Sequence, residues 1–345
     1  MLQILGAIFG LSLLVIVHEA GHYLFARAFG IRVTRFSIGL GPVLVKFQPK
    51  GSPTVFQVCA IPFLAYVMIA GMNPAEEVDP KDPGLYPNKS LLARTLTIFG
   101  GPFANYLAAS LMIFGLAITG WREETASEPM IVEDVEATSP AGKAGLKVGD
   151  IILEANGRPI RNVKELIEVT APRAGLPTSY VIKRDGQVLP ALSITPQKIE
   201  NRGIIGVTPR VVTRHRSLPL DEAATLAITR PWQYTVLNLS GMADLVRRRT
   251  TEGLTGPVGM GKLVAQQAEK GMYDFVQVLI AISVALGSFN LLPFPALDGG
   301  RLVFLGYEII TRRRPNERIE AAVHTVGLLF LLGVIALVTL RDVVS

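Results

Sequence analysis

The chain has only one cysteine, Cys59, among its 345 residues, which excludes an internal disulfide and any cysteine-rich metal site. Charged residues are also scarce, at 18%, whereas 49% of residues are hydrophobic and the mean hydropathy is +0.39. The basic residues behind the net charge of +6 do not form a long stripe, so nucleic acid is not an expected partner. This composition is typical of a membrane protein that carries a water-soluble insert.

Four segments are apolar enough to span roughly 30 Å of hydrocarbon as helices. They cover about 2–28, 90–120, 273–292 and 319–340. The second contains Gly100-Gly101-Pro102 and Asn105, and such residues allow close packing and hydrogen bonding between membrane helices. The first lacks a basic start, so we expect a retained span rather than a cleaved signal peptide.

Residues 32–71 contain short β-rich runs separated by Gly41-Pro42, Pro49-Lys50-Gly51 and Pro62. Such interruptions favour hairpins over a fifth spanning helix. The sequence therefore predicts an α-helical polytopic membrane protein with about four transmembrane helices, membrane-associated β-hairpins and an inserted α+β domain. We expect the hairpins to fold against the membrane part.

Residues 127–197 predict the inserted domain. The expected order is a strand at 130–135, a short helix at 140–146, a strand at 151–155, a helix at 163–170, and strands at 180–184 and 188–194. With Ser139-Pro140-Ala141 and Gly149-Asp150 at their positions, this order resembles a PDZ domain. The resemblance implies a possible peptide ligand added at a sheet edge. The predicted domains are therefore 1–126, 127–197, an amphipathic linker region at 198–271, and 272–345.

The first span carries His18-Glu19-Ala20-Gly21-His22, an H-E-x-x-H motif. Residues four apart lie on one face of a helix, so both imidazoles can reach a single Zn²⁺. Glu19 can then act as general base toward a water at the metal. Because a bilayer excludes water, a hydrolytic motif within a span points to proteolysis inside membranes.

A third ligand is predicted just after the third span, where residues 290–300 read NLLPFPALDGG. A catalytic zinc site needs three protein ligands and one open position, and Asp298 can supply the missing carboxylate. Pro293 and Pro295 break the helix, which at membrane depth requires a protein-lined or water-filled cavity. Asn290 can hold the substrate backbone or a developing oxyanion through its amide.

The basic loops at 27–92 and 301–318 are expected in the cytoplasm by the positive-inside rule. The termini and the inserted domain then lie outside, and spans one and three run in the same direction. At about 1.5 Å per residue, His18 lies roughly 25 Å along the first helix, at a depth that Asp298 can share. Arg312-Arg313-Arg314 lies beside an apolar segment, which favours contact with anionic membrane lipid.

H-E-x-x-H in the first span and N-x-x-P-x-P-x-x-D-G in a later one resemble the site-2 protease family of intramembrane zinc metalloproteases. The insert between spans two and three is similar to the bacterial branch that contains the regulator of sigma-E protease, although that branch carries a tandem PDZ pair. By this resemblance, His18, His22 and Asp298 bind zinc, Glu19 is catalytic and Asn290 contacts substrate. It also implies regulated cleavage of single-span proteins, of the anti-sigma factor or remnant signal peptide type, in the bacterial inner membrane.

Two other functions compete with this interpretation. A zinc transporter also places His and Asp in membrane helices, although it would need polar groups through both leaflets. A membrane-tethered PDZ scaffold explains the insert but not the buried His-Glu-His set. At single positions, Asp298 could cap a turn and Asn290 could bond another helix. His324 is expected to bond a backbone carbonyl rather than zinc.

Overall fold

The computed structural model describes residues 2–73, 78–199, 202–248 and 256–344. In chain order, its helices are α1 (Leu2–Ala28), α2 (Leu91–Gly120), α3 (Pro140–Lys143), α4 (Val163–Thr170), α5 (Leu220–Arg248), α6 (Pro257–Lys270), α7 (Met272–Asn290), α8 (Asp298–Thr311) and α9 (Glu317–Val344). Its strands are β1 (Val33–Phe47), β2 (Val55–Ile69), β3 (Trp121–Ala126), β4 (Val132–Val135), β5 (Ile151–Ala155), β6 (Arg158–Pro159), β7 (Thr178–Arg184), β8 (Gln187–Val188), β9 (Leu192–Ile194), β10 (Gln197–Ile199), β11 (Arg202–Ile204), β12 (Val207–Pro209) and β13 (Val211–Arg216).

The chain divides into two compact units, Met1–Ile118 with Pro219–Ser345, and Thr119–Leu218. The first contains the described helices that are long and apolar enough to cross a membrane: Gln3–Ala28, Leu91–Gly120, Met272–Asn290 and Arg318–Asp342. These helices correspond to the four predicted spans. The third helix ends at Asn290, slightly earlier than predicted, because the chain leaves the helix just before the first proline of the 290–300 segment.

Close packing of α1 on α2 explains the glycines in both helices. A Cβ atom on Gly21 would lie 2.1 Å from the carbonyl oxygen of Gly100, so the two backbones touch at a place where only glycine fits. Further along α2, the hydroxyl of Ser283 on α7 donates to the carbonyl oxygen of Asn105, at 2.9 Å. α2 therefore packs against both α1, which carries the H-E-x-x-H motif, and α7, which ends at Asn290.

β1 and β2 pair with each other, but each strand changes its partner partway along its length. Phe36 pairs with Val67 on one side and with Phe56 on the other, while Val45 in the second half of β1 pairs with Val58. The result is four segments in the spatial order 65–69, 33–38, 55–58 and 43–47. They lie in the region where short β-rich runs were expected, and segment 65–69 forms one edge of the sheet.

The inserted unit begins and ends with paired strands, since β3 lies beside β13 with Trp121 opposite Arg216. β4 pairs with β12, and a larger sheet has the order β6-β5-β7-β8, with β9 also paired to β7. These strands and the helices α3 and α4 follow the order expected for a PDZ-like domain. The strands β10 to β13 lie in a stretch for which the sequence predicted no strands.

The core of the inserted unit is apolar. Fully buried side chains in this core include Met130, Val132, Ile152, Tyr180 and Ile182.

The hairpin turns of the unit have the residues that such turns require. Asn156-Gly157 has φ of 51° and 73°, and Asp185-Gly186 has φ of 49° and 85°. Two consecutive positive φ angles define the tight turn whose twist matches that of paired strands.

Asp150 is a fully buried carboxylate in the inserted unit. It accepts hydrogen bonds from the backbone N–H of Lys147 at 2.8 Å and from Nε and Nη2 of Arg184 at 2.7 and 2.8 Å. Burial alone would raise the pKa of this carboxyl, but the Arg184 and Lys147 bonds outweigh it and hold the pKa below its usual range. The stabilisation is therefore present above the unfolded-state pKa of about 3.9 and is lost as pH falls through the lower folded-state value.

We expect Asp150→Asn to destabilise the inserted unit by about 2 kcal/mol at pH 7, because the charge-assisted hydrogen bonds from Arg184 are lost. Hydrogen exchange of the β5 and β7 amides in the full-length protein measures the local opening free energy. Asp134→Asn, a change on an exposed part of β4, should alter it by less than about 0.5 kcal/mol. The Asp150→Asn difference should shrink below about pH 4, and an equal difference at pH 7 and pH 3 would contradict a carboxylate role.

Candidate metal centre

α1 places the two histidines of the H-E-x-x-H motif one helical turn apart on a buried face. His18 and His22 are 9% and 7% exposed, and their Nε2 atoms lie 3.2 Å apart. On α2, the carbonyl oxygen of Thr97 lies 2.9 Å from Nδ1 of His22. When Nδ1 donates to this carbonyl, the ring is held in one orientation and Nε2 keeps a lone pair for a metal.

Asp298 begins α8 and reaches the same point from the other end of the chain. Its Oδ2 atom lies 3.2 Å from Nε2 of His18 and 3.3 Å from Nε2 of His22. Ligand atoms around a tetrahedral Zn²⁺ with bonds of about 2.0–2.1 Å are about 3.3 Å apart. Among the described residues, this buried Oδ2 has no hydrogen-bond partner. A carboxylate oxygen that faces two imidazole nitrogens without a hydrogen bond fits a metal ion as its partner.

The turn between α7 and α8 gives Asp298 its position. Ala296, which follows the second proline of the segment, has a φ of 73°, so the chain bends sharply before α8 starts. A Cβ atom on Gly299 would lie 2.0 Å from the carbonyl oxygen of Leu292. The residue after Asp298 must therefore be glycine if the turn is to close this tightly.

Asn105 on α2 is fully buried and lies against the first histidine. Its Nδ2 atom is 3.1 Å from Nδ1 of His18, whereas its Oδ1 atom is buried and has no hydrogen-bond partner within the described ranges. The opposite orientation of the amide would place Oδ1 against Nδ1, which would then carry the proton. That orientation satisfies the amide oxygen and leaves Nε2 of His18 available to a metal.

The three candidate ligands line a cavity of about 410 Å³ that Glu19 and Asn290 also line. The carboxylate of Glu19 accepts a hydrogen bond from the backbone N–H of Val67, in the edge segment of the sheet. Asn290 uses one amide hydrogen to donate to the carbonyl oxygen of Leu286, at 2.9 Å. The structure thus brings together all five site residues predicted from the sequence.

Several residues around this cavity were not singled out from the sequence as part of the site. Residues 66–69 of β2 line the cavity, and so does Arg301, which lies one helical turn after Asp298. The spacing between Asp298 and Arg301 is a signal that could have been used, because residues three apart share a helix face. No pattern in the sequence identifies Thr97 as the partner of His22, since this contact depends on how two distant helices pack.

The expectation for His324 needs a correction. Its Nδ1 atom accepts a hydrogen bond from the backbone N–H of Ala296, at 3.0 Å, whereas a backbone carbonyl partner was expected. The reason is the irregular turn before α8, where this N–H has no helical acceptor and must find another. His324 does not line the cavity that contains His18, His22 and Asp298.

Helices able to span a membrane, together with two histidines, a carboxylate and an adjacent glutamate, define the class of membrane metalloproteases. Residues 6–334 match the model of peptidase family M50, and the chain belongs to this family. The protein is accordingly a zinc-dependent metalloendopeptidase.

Relatives of known name agree with this membership. A protein of Nostoc sp. that carries the name zinc metalloprotease is 31% identical over 96% of this chain and 93% of its own length. Metalloprotease MmpA of Caulobacter vibrioides is 30% identical over 96% of this chain and 93% of its own length. The crystal structure of a PDZ domain from Listeria monocytogenes covers 25% of this chain and 93% of its own, at 22% identity and a TM-score of 0.22.

Proposed function

We propose that this protein cuts a transmembrane segment of a single-span membrane protein, within the bilayer. The observation that carries the proposal is the convergence of His18, His22 and Asp298 beside Glu19, with both histidines on a helix apolar enough to cross a membrane. When bound by these three ligands, zinc supplies a Lewis acid for the attacking water and the scissile carbonyl. Glu19 takes a proton from that water and passes it to the leaving amine.

Asn290 has the remaining role in this proposal. It ends α7 and lines the cavity with one amide hydrogen engaged by its own helix. The rest of the amide holds the substrate backbone or stabilises the charge that develops on the carbonyl oxygen. If Asn290 has only a structural role and bonds within the helix bundle, Asn290→Ala should leave cleavage unchanged.

The proposed location is the bacterial inner membrane, with the basic loops in the cytoplasm and the inserted unit on the extracytoplasmic side. In this orientation α1 and α7 run in the same direction, and the candidate ligands lie toward the cytoplasmic end of the bilayer. The substrate would be a single-span protein of the anti-sigma factor or remnant signal peptide type, cut in regulated intramembrane proteolysis.

The sheet edge at 65–69 is the proposed docking strand for an unwound substrate. An intact helix hides its peptide bonds, so the substrate must become extended before hydrolysis. The backbone N–H of Val67 points at Glu19, whereas the N–H of Ala70 donates to the carbonyl oxygen of Arg32, at 2.9 Å. The backbone N–H and C=O groups of successive residues point to alternate sides of a strand. Val67 and Ile69 therefore present their backbone groups away from β1 and toward the cavity. An extended peptide can pair there.

We expect Ile69→Pro to slow cleavage of a helical transmembrane substrate by about fivefold to tenfold, because it removes one outward N–H worth about 1 kcal/mol. Ile69→Ala removes a similar amount of packing and keeps the N–H, so it is the matched control. Rates should be measured with purified, zinc-loaded protein and one captured substrate. Equal rates for the proline and alanine variants would count against edge pairing.

The inserted unit is proposed to bind or screen the extracytoplasmic part of the substrate as an extended peptide. Among the described strands, β12 pairs only with β4, so its second edge is open to a further strand. Backbone hydrogen bonds at such an edge supply affinity that depends little on peptide sequence. This arrangement suits a domain that accepts different polypeptide chains.

The test of the proposed function is capture of membrane proteins by the full-length Glu19→Gln variant in cells. A captured protein is then incubated with wild-type protein in lipid vesicles, and the cut is located by mass spectrometry. We expect a cut inside the hydrophobic segment. Cuts confined to water-exposed segments would contradict intramembrane cleavage.

The same experiment separates the two rival functions. A zinc transporter would move zinc across the vesicle membrane, and its wild-type form would release no peptide fragments. A membrane-tethered scaffold would capture partners equally well with Glu19 or Gln at this position, and neither form would cut them.

A further inference from the structure

A second cavity, of about 390 Å³, lies next to the one that contains the candidate ligands. The two share part of their lining: Met72, Asn73, Ala296 and Arg301. The far side of the second cavity is formed by α8, the start of α9 and the segment before α2. A polypeptide cut at the metal centre therefore has a neighbouring chamber into which one side of it can extend.

Three arginines line this chamber, and two of them are already bonded to the protein. Arg94 binds Glu308 through two hydrogen bonds of 2.6 and 3.0 Å, and both side chains are largely buried. Arg314 donates to the carbonyl oxygen of Pro87 at 2.9 Å and lies 3.9 Å from Glu308. These two cations therefore belong to the wall of the chamber.

Arg301 differs from the other two. Within the ranges that the structure describes, its guanidinium makes no hydrogen bond or ion pair. It is partly buried and lines both cavities, one helical turn beyond Asp298. Among the lining residues that the structure describes, the carboxylates are those of Glu308 and Glu320, so the three arginines leave one positive charge in excess.

The half-buried guanidinium of Arg301 is suited to one kind of ligand. Arginine offers a rigid fork of donors that matches the two oxygens of a carboxylate, and such charge-assisted pairs are stronger than neutral hydrogen bonds. Ionisable groups are costly at membrane depth and usually mark a substrate path when they are kept there. The ligand that complements Arg301 is therefore an anion with planar, paired oxygens.

We propose that Arg301 binds a carboxylate of the cleaved polypeptide in this chamber. The inference rests on the proposed function, in which a peptide bond is hydrolysed beside Asp298. Hydrolysis adds water across that bond, so one product ends in a new carboxylate and the other in an amine. The carboxylate at Arg301 is either this new chain end or an acidic side chain close to the scissile bond.

The test is peptide binding to full-length, zinc-loaded protein in the Glu19→Gln background, which prevents cutting of the probes. Three dansyl-labelled tripeptides distinguish the sources: Leu-Ala-Leu with a free C-terminus, its C-terminal amide, and the amide with Asp in the centre. Fluorescence anisotropy gives each Kd. Arg301→Gln removes the fork, Arg301→Lys keeps the charge, and Arg313→Gln is a control that removes an exposed positive charge outside the chamber.

We expect at least one of the two carboxylate probes to bind about tenfold more tightly than the plain amide. Arg301→Gln should abolish this preference, Arg301→Lys should keep part of it, and Arg313→Gln should keep all of it. Preference for the free C-terminus identifies the new chain end, and preference for the Asp probe identifies a side chain. Zinc content and thermal unfolding should match across the variants.

Two outcomes would overturn the proposal: no carboxylate preference in the parent protein, or a preference that survives Arg301→Gln, which would place the carboxylate on the metal instead. Failure of the proposed function gives a different result. In that case the captured membrane proteins stay uncut by the wild type, whether or not binding of the probes depends on Arg301.

Discussion

Replacing Glu19 with glutamine should lower the rate of peptide cleavage by about 10³-fold while zinc stays bound. General base catalysis contributes about 10²–10⁴-fold, and glutamine cannot take a proton from water. The amide oxygen of glutamine can still accept the hydrogen bond that the carboxylate takes from the N–H of Val67. Local structure around the site should therefore be preserved. The measurements are the single-turnover rate with a captured substrate and the zinc content of the purified protein.

The matched control is Glu222→Gln, the same chemical change on α5 outside the candidate site. It should leave the cleavage rate within about twofold of the wild type. A Glu19→Gln protein that holds zinc and still cuts at the wild-type rate would remove Glu19 from the mechanism. A variant that loses its zinc would instead show that Glu19 supports the metal ligands.

The candidate metal ligands are the part of the site that the local sequence can predict. The i to i+4 spacing of His18 and His22 determines that the two rings share a helix face, whatever surrounds them. Asp298 was predicted as the third ligand because two imidazoles do not complete a zinc site and because it can share their depth in the membrane. The helix break at the prolines also suits a polar cavity. In the structure, its Oδ2 atom lies 3.2 Å from Nε2 of His18, although the two residues are close to opposite ends of the sequence.

The contacts that orient those ligands could not be predicted in the same way. Asn105 was expected to bond across the helix bundle, but its partner, His18, follows from the register between α1 and α2. That register is set by the contact of Gly21 with Gly100, a packing detail that hydrophobic patterns do not encode.

The inserted unit shows the same limit at the level of strands. The strands at 180–184 and 188–194 were predicted on either side of Asp185-Gly186, where the structure has the two positive φ angles of a tight turn. The pairing of β3 with β13 joins segments about 90 residues apart, and β13 is exposed on both faces. A strand without an apolar face gives no alternating pattern, so sequence periodicity cannot detect it.

Gly101→Ala should reduce zinc affinity by about 10–100-fold and cleavage by at least about 10²-fold. A Cβ atom at this position would lie 2.2 Å from Nε2 of His22, the atom expected to bind the metal. The ring cannot simply turn away, because its Nδ1 atom is held by the carbonyl oxygen of Thr97 at 2.9 Å. Displacing a metal ligand or its supporting hydrogen bond typically costs affinity of this size. Zinc titration in detergent and cleavage of a captured substrate measure the two effects.

Two other glycines of α2 separate loss of the ligand from loss of packing. A methyl group on Gly115 meets nothing within 4 Å, so Gly115→Ala should leave zinc affinity and cleavage unchanged. A methyl group on Gly100 would lie 2.7 Å from the Phe25 ring and 2.8 Å from the carbonyl oxygen of Gly21, so Gly100→Ala disturbs helix packing, and His22 is not among the nearest atoms that it would meet. Gly100→Ala should therefore lower thermal stability more than it lowers zinc affinity, and Gly101→Ala should do the reverse. If Gly101→Ala bound zinc as tightly as the wild type, His22 could not be a ligand in the position that α1 gives it.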